Sequence, residues 1–242
     1  MRILVVFLVG LSTCFADIIP GDCTQLIVVR TKDWESSRAR MQTYKRSWDG
    51  KKWLPESPVH PAVVGKCGLG WGIGLIDCSN EPGPRKKEGD NRGPAGIFDL
   101  GVIFAKKPID GISLPFIQIT GDTEAVDDPK SKFYNQIVHR SRVEKVDWSS
   151  SEKMQAIAQY GIGIEVLHNS PPKDPKAGSA IFIHRWKGPD QGTVGCLGME
   201  LADIERICLW LEDSARPVLV QLPESEFQRL QTSWNLPPFI GE

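Results

Sequence analysis

The chain has 242 residues with 29 basic against 30 acidic side chains, a formal net charge of −1, so no global field exists to hold nucleic acid or an anionic membrane. That length can bury most of its apolar surface without a special staple. The 23 glycines and 18 prolines exceed what a helical protein carries and favour strands joined by turns.

From the N-terminus, Arg2 is followed by an almost wholly apolar run at 3–10, and "STCFA" ends on the small Ala16. This is the pattern of a signal peptide spanning 1–16, cleaved before Asp17, with one domain over 17–242 and a periplasmic or cell-wall address. The run is too short for a stable membrane span. A buried N-terminal strand is the bland alternative; lipidation at Cys14 is disfavoured by the bulk of Thr13. Cleavage leaves Cys23, Cys67, Cys78, Cys196 and Cys208, an odd number, so an oxidising compartment leaves at least one of them without an intramolecular partner. Cys67 and Cys78 flank "GLGWGIGLID", and a disulfide between them is one option open to the chain.

"LIVVR" at 26–30 has the β-branched character of a buried strand. Two strand-like arms then flank Asp49-Gly50, a dipeptide that accepts the positive φ of a tight hairpin turn. Further strands punctuated by glycine follow in "PAVVGKCGLGWGIGLIDC", then a polar loop over 81–96, then strands at 97–104 and 114–120. The segment 122–148 lacks clean periodicity and reads as a long excursion over the sheet. Its Asp122, Asp127 and Asp128 match no calcium-loop spacing and suit turns and caps. Ser149, three residues before Glu152, predicts a helix over 149–160. A second helix follows Cys196, because Leu201, Ile204, Ile207, Cys208 and Leu211 share one helical face. "PVLVQL" at 217–222 is a strand, and a short amphipathic tail closes the chain. The whole is a mainly β, β-rich α+β chain with few helices.

Chemistry is narrowed by what the motifs lack. His60, His139, His168 and His184 fall into no zinc-type spacing and no CxxC pair exists, so no metal is expected. GxSxG and the phosphate-binding glycine loops are missing as well, so no cofactor is expected either. Thiol chemistry is left. A catalytic thiol needs a neighbouring imidazole, a helix N-terminus, or both. Cys196 stands just before a helical pattern, and His184 ends the apolar run "SAIFI". Gly195 lets the backbone approach a substrate closely, and its amide and that of Cys196 suit an oxyanion. The competing reading makes Cys196 a buried packing residue and His184 a structural hydrogen-bonding group.

Three ordered segments tip this balance: "EGDNRGPAGIF" at 88–98, "GSAIFIHRW" at 178–186 and "TVGC" at 193–196. Together they resemble the L,D-transpeptidase catalytic domains, exported cysteine enzymes that remodel peptidoglycan. The resemblance implies a mixed β-sandwich or barrel with two or three peripheral helices. It also implies an L,D-transpeptidase-like acyltransferase in which Cys196 is the nucleophile, His184 the general base and acid, Arg185 a backbone carbonyl orienting His184, and Gly195 an oxyanion donor. Arg92, His168, Trp186 and Thr193 are candidates for the substrate-binding wall, with Arg185 a second candidate for its carboxylate anchor. His168 is also the rival base, and Trp71 a rival wall residue. The expected partners are peptidoglycan stem peptides, with a monomer the simplest assembly.

The segment departs from the family at two positions. Val194 stands where many members carry a second histidine, and Gly198 where many carry Arg or Asn. The loop from His184 to Cys196 is short. Two alternatives therefore stay open: an L,D-carboxypeptidase or hydrolase of wall-linked peptides at the same thiol, and a wall-binding module without catalysis.

Overall fold

The β-branched run forms β1 (Gln25–Thr31), buried along its whole length, in a computed structural model that describes residues 18–172 and 174–238. The signal-peptide reading of 1–16 and Cys14 lie outside the described residues. A strand covered on both faces has no polar side to alternate with, which is why β1 reads as a continuous apolar run. It pairs in parallel with β14 (Val218–Pro223), also buried throughout, and antiparallel with β2 (Arg38–Arg46).

These contacts close a ring. From β1 and β14 the sheet passes through β6 (Gly93–Ala105), β11 (Ile162–Val166), β12 (Phe182–Arg185), β13 (Leu197–Met199) and β4 (His60–Val63), and returns through β2 to β1. The result is an eight-stranded barrel, the mainly β architecture expected. Three short strands hang on it: β3 (Trp53–Pro55) on β2, and β5 (Leu69–Trp71) and β7 (Phe116–Gln118) on β6. β2 and β3 meet at the Asp49-Gly50 turn, where Gly50 takes a φ of +71°. Two helices cover the outside: α1 (Leu201–Trp210) packs on β11 and β12, and α2 (Glu224–Leu230) on β14 and β1.

The structure corrects several sequence expectations. Residues 149–160 form no α-helix; they form β10 (Ser151–Lys153) and two 3-10 turns. Ser149, expected to cap, instead gives its amide and hydroxyl to the Asp128 carboxylate at 2.8 and 2.7 Å. Glu152 accepts from the Tyr160 hydroxyl rather than closing a capping box. The excursion is more regular than its periodicity suggests. It carries β8 (Thr123–Val126) and β9 (Ile137–His139), which join β10 in a separate three-stranded sheet. The loop drawn over 81–96 ends earlier, because β6 starts at Gly93 against Leu69. The second helix is supplied by the tail, as α2. Asp122 and Asp128 serve turns as expected, holding the Ser141 and Lys130 amides. All five described cysteines are free, Cys67 and Cys78 included.

Candidate active site

β12 and β13 lie side by side in parallel, Ile183 opposite Leu197 and His184 opposite Gly198. Alternate residues of a strand share a face, so His184 and Phe182 project to the same side as Cys196 and Gly198. This register turns a gap in sequence into a diagonal pairing across adjacent strands. Both side chains are 8% exposed, at the floor of a cleft of about 440 Å³.

His184 is held in one tautomer. Its Nδ1 lies 2.8 Å from the carbonyl oxygen of Arg185, and a carbonyl only accepts, so Nδ1 carries the proton and Nε2 keeps its lone pair. The Tyr160 ring meets the imidazole edge-on at 5.3 Å and is itself packed against Phe104 and Phe182. Burial lowers the His184 pKa from its ordinary 6.5, so the ring is a neutral base at pH 7.

Cys196 rests as a thiol. Its Sγ donates to the Ala180 carbonyl at 3.4 Å and accepts from the Phe182 amide at 3.4 Å, while burial pushes its pKa up to about 12. The helix-start argument for a ready thiolate does not survive. β13 intervenes between Cys196 and the first turn of α1, and a helix dipole fades within its first turn. That first turn is served by Glu200, whose carboxylate accepts from the Leu201 amide and the Trp186 indole. The resting pair is thus neutral thiol and neutral imidazole. Cys208, fully buried in the core on α1, is also raised to about 12. Access to the cleft, not acidity, separates the two cysteines.

The carbonyl that receives the thiol proton is placed by a strained backbone. Ala180 adopts a φ of +53°, which costs a residue with a Cβ about 1–2 kcal/mol. The cost is met by Asn135, whose side chain accepts from the Ala180 amide at 2.9 Å and donates to the carbonyls of His168 and Asn169. Asn135 lies between β8 and β9, so the small sheet reaches directly into the surroundings of Cys196.

The turn before Cys196 is tied by Thr193. Its hydroxyl donates to the Cys196 carbonyl at 2.5 Å and accepts from the Gly195 amide at 3.1 Å. The Gly195 amide must leave Thr193 before it can meet an oxyanion. At Gly198 a Cβ would come within 2.9 Å of Val63 and 3.1 Å of Trp186. The space a larger residue would use there is filled by this chain's own packing. Val194 is 73% exposed on the cleft lip.

The remaining sequence candidates divide. Trp186 and Thr193 line the cleft. The Arg185 side chain is exposed, and only its carbonyl touches the site. Arg92 is outside the lining: its guanidinium binds the Glu35 carboxylate and the carbonyls of Trp34 and Leu69. His168 is outside it too. Nδ1 accepts from the Ile73 amide, Nε2 donates to the Ala177 carbonyl, and burial lowers its pKa to about 4. Both ring nitrogens are occupied, which leaves it no role as the rival base. Trp71 packs in the core between Trp34 and Trp234. Sequence reasoning missed Tyr160, Glu152, Asn135 and Ala180, and also Lys66 and Lys187 on the loop side of the cleft. Of these only Asn135 carried a signal, as a residue type that tolerates left-handed φ.

Residues 36–220 match the family profile of the YkuD L,D-transpeptidase catalytic domain. No curated protein and no solved structure matches the chain.

Proposed function

The chain belongs to the L,D-transpeptidase catalytic domain family, and on that premise we propose that it is an exported cysteine acyltransferase joining peptidoglycan stem peptides through a thioester on Cys196. Family membership carries peptidoglycan work of the L,D-transpeptidase type in general. The specific reaction is argued from the site.

His184 Nε2 takes the thiol proton as Sγ attacks the carbonyl between an L-centre and a terminal D-residue of the donor stem. The proton's resting partner, Ala180 O, is exchanged for the imidazole in that step. The Gly195 and Cys196 amides receive the oxyanion once Thr193 lets go of Gly195. The tetrahedral species breaks its C–N bond, imidazolium protonates the departing D-amino acid, and a thioester remains. An acceptor amine then attacks that carbonyl and gives its proton to His184. The C–S bond breaks, the sulfur regains the proton, and a new amide joins two stems. Water in the amine's place gives L,D-carboxypeptidase action at the same thiol.

The observation that carries this reading is the His184 Nδ1 to Arg185 carbonyl bond, which turns a lone-pair nitrogen to the face that Cys196 shares. Intact-mass measurement after incubation with a tetrapeptide stem tests it. A covalent adduct equal to the stem minus its terminal D-residue is expected on Cys196; no adduct at that residue would overturn the reading. Adding an acceptor amine should release a crosslinked product, whereas hydrolysis alone would point to a carboxypeptidase. Export rests on the apolar run at 3–10 and Ala16. N-terminal sequencing of the mature protein should begin at Asp17.

A further inference from the structure

The cleft is lined by charges of both signs; among them Lys86 is already paired with the Asp90 carboxylate at 2.7 Å. On one side the turn at 192–193 and the segment after Trp186 bring Lys66 and Lys187; the Lys66 amide bonds to the Thr193 carbonyl at 2.8 Å. On the other side stand Glu152 on β10 and Asp127 just after β8. β8 and β10 pair with Val126 opposite Ser151 and Ala125 opposite Glu152, which makes Asp127 and Glu152 near neighbours across the small sheet. Cys196 and His184 line the same cleft.

Glu152 is fixed rather than loose. Its Oε2 accepts from the Tyr160 hydroxyl at 2.6 Å, and the same tyrosine ring rests against His184. One residue thus sets the distance between this carboxylate and the catalytic imidazole. Asp127 Oδ1 is buried without a hydrogen-bond partner, a cost that a cationic ligand in the cleft would remove. Burial raises the pKa of Glu152, the Tyr160 bond opposes it, and the like charges of Asp127 and Glu88 add to the rise.

We propose that Glu152, positioned by Tyr160 and seconded by Asp127, receives the attacking amine of the acceptor stem, which assigns the small-sheet wall to the acceptor and the lysine wall to the donor carboxylate. The assignment rests on the acyl-transfer reading above. The acceptor arrives as an ammonium ion and gives one proton to the Glu152 carboxylate. The neutral amine attacks the thioester, its second proton passes to His184 and then to the leaving sulfur, and Glu152 returns its proton to solvent. A raised pKa suits a carboxylate with that duty.

The test uses the full chain with a tetrapeptide stem as donor and a stem bearing a free side-chain amine as acceptor. In Glu152→Gln, with donor saturating, the acceptor KM should rise on the order of tenfold or more and products should shift from crosslink to hydrolysis. Asp127→Asn should move the same way by less. Acylation retained with an unchanged acceptor KM would overturn the assignment. Loss of acylation in Glu152→Gln would make the carboxylate a structural group and overturn it equally. Wild-type protein that never acylates would remove the acyl-transfer reading itself, a separate outcome.

Discussion

β12 and β13 are flanked on either side by barrel neighbours, β11 and β4, and bury Ile183, Leu197 and Met199 completely or nearly so. The small sheet facing them across the cleft is organised instead around a polar hub. Buried Glu124 on β8 accepts from the Trp148 indole at 2.7 Å and the Ser151 hydroxyl at 2.6 Å, and pairs with Lys153 at 2.5 Å and Arg140 at 3.3 Å. The difference lies in what each region needs. Apolar strands reject water wherever they pack, so the barrel wall holds its register whatever happens in the cleft. A carboxylate hub holds only while every partner is in place. Cys196 therefore sits on the rigid side, and the wall proposed for the acceptor is built on the side whose stability depends on a charge.

The comparison can be broken first at the sulfur. Cys196→Ala should abolish the covalent adduct, and Cys208→Ala should leave it intact, because only the first thiol reaches the cleft. Loss in both variants, read by intact mass, would show that the barrel wall does not separate the two roles. His184→Gln should slow acylation by about 10²–10⁴-fold, the usual contribution of a positioned base, with folding checked by circular dichroism.

The hub comes next. Glu124→Gln leaves buried partners uncompensated and should cost about 2–4 kcal/mol, read as faster hydrogen exchange across β8, β9 and β10 with the barrel amides unchanged. Uniform loss of protection would mean the two sheets are one cooperative unit. The same hub predicts a pH dependence. Burial alone would raise Glu124, but bonds from Lys153, Ser151 and Trp148 outweigh it and bring its pKa down to about 2 from 4.5. Its stabilisation is full above pH 4.5 and is lost as the pH falls toward 2. The smallest effect belongs to the link between the regions: Asn135→Ala should cost about 1–2 kcal/mol by freeing Ala180 from its left-handed conformation, and slow acylation several-fold.

The same contrast explains what could be read from the sequence. β1, β14 and α1 announced themselves because their burial is apolar and their periodicity follows from it. The Asp49-Gly50 hairpin announced itself because few dipeptides accept its φ. Cys196 and His184 were singled out because strand end, short loop and Gly-Cys turn are local features, whereas Arg185 came only through the family resemblance. β8, β9 and β10 gave no such signal, since strands of three or four residues show no period and are held by carboxylate bonds to residues distant in sequence, as Glu124 is to Trp148 and Ser151. The helix expected over 149–160 failed for that reason: Asp128, distant in sequence, takes Ser149 away from the cap. Arg92 was an apt choice for a carboxylate anchor by residue type alone. Nothing local to it reveals that Glu35 and two carbonyls already hold its guanidinium.

The most direct measurement is the rate of adduct formation on Cys196 as a function of pH, followed by intact mass and mapped to the peptide that carries the cysteine. A neutral thiol beside a neutral imidazole of lowered pKa should give a rate that is flat from about pH 6.5 upward and falls only in more acidic solution, where His184 takes a proton. A rate that climbs about tenfold per pH unit through the alkaline range, or an adduct mapped to another residue, would contradict the account.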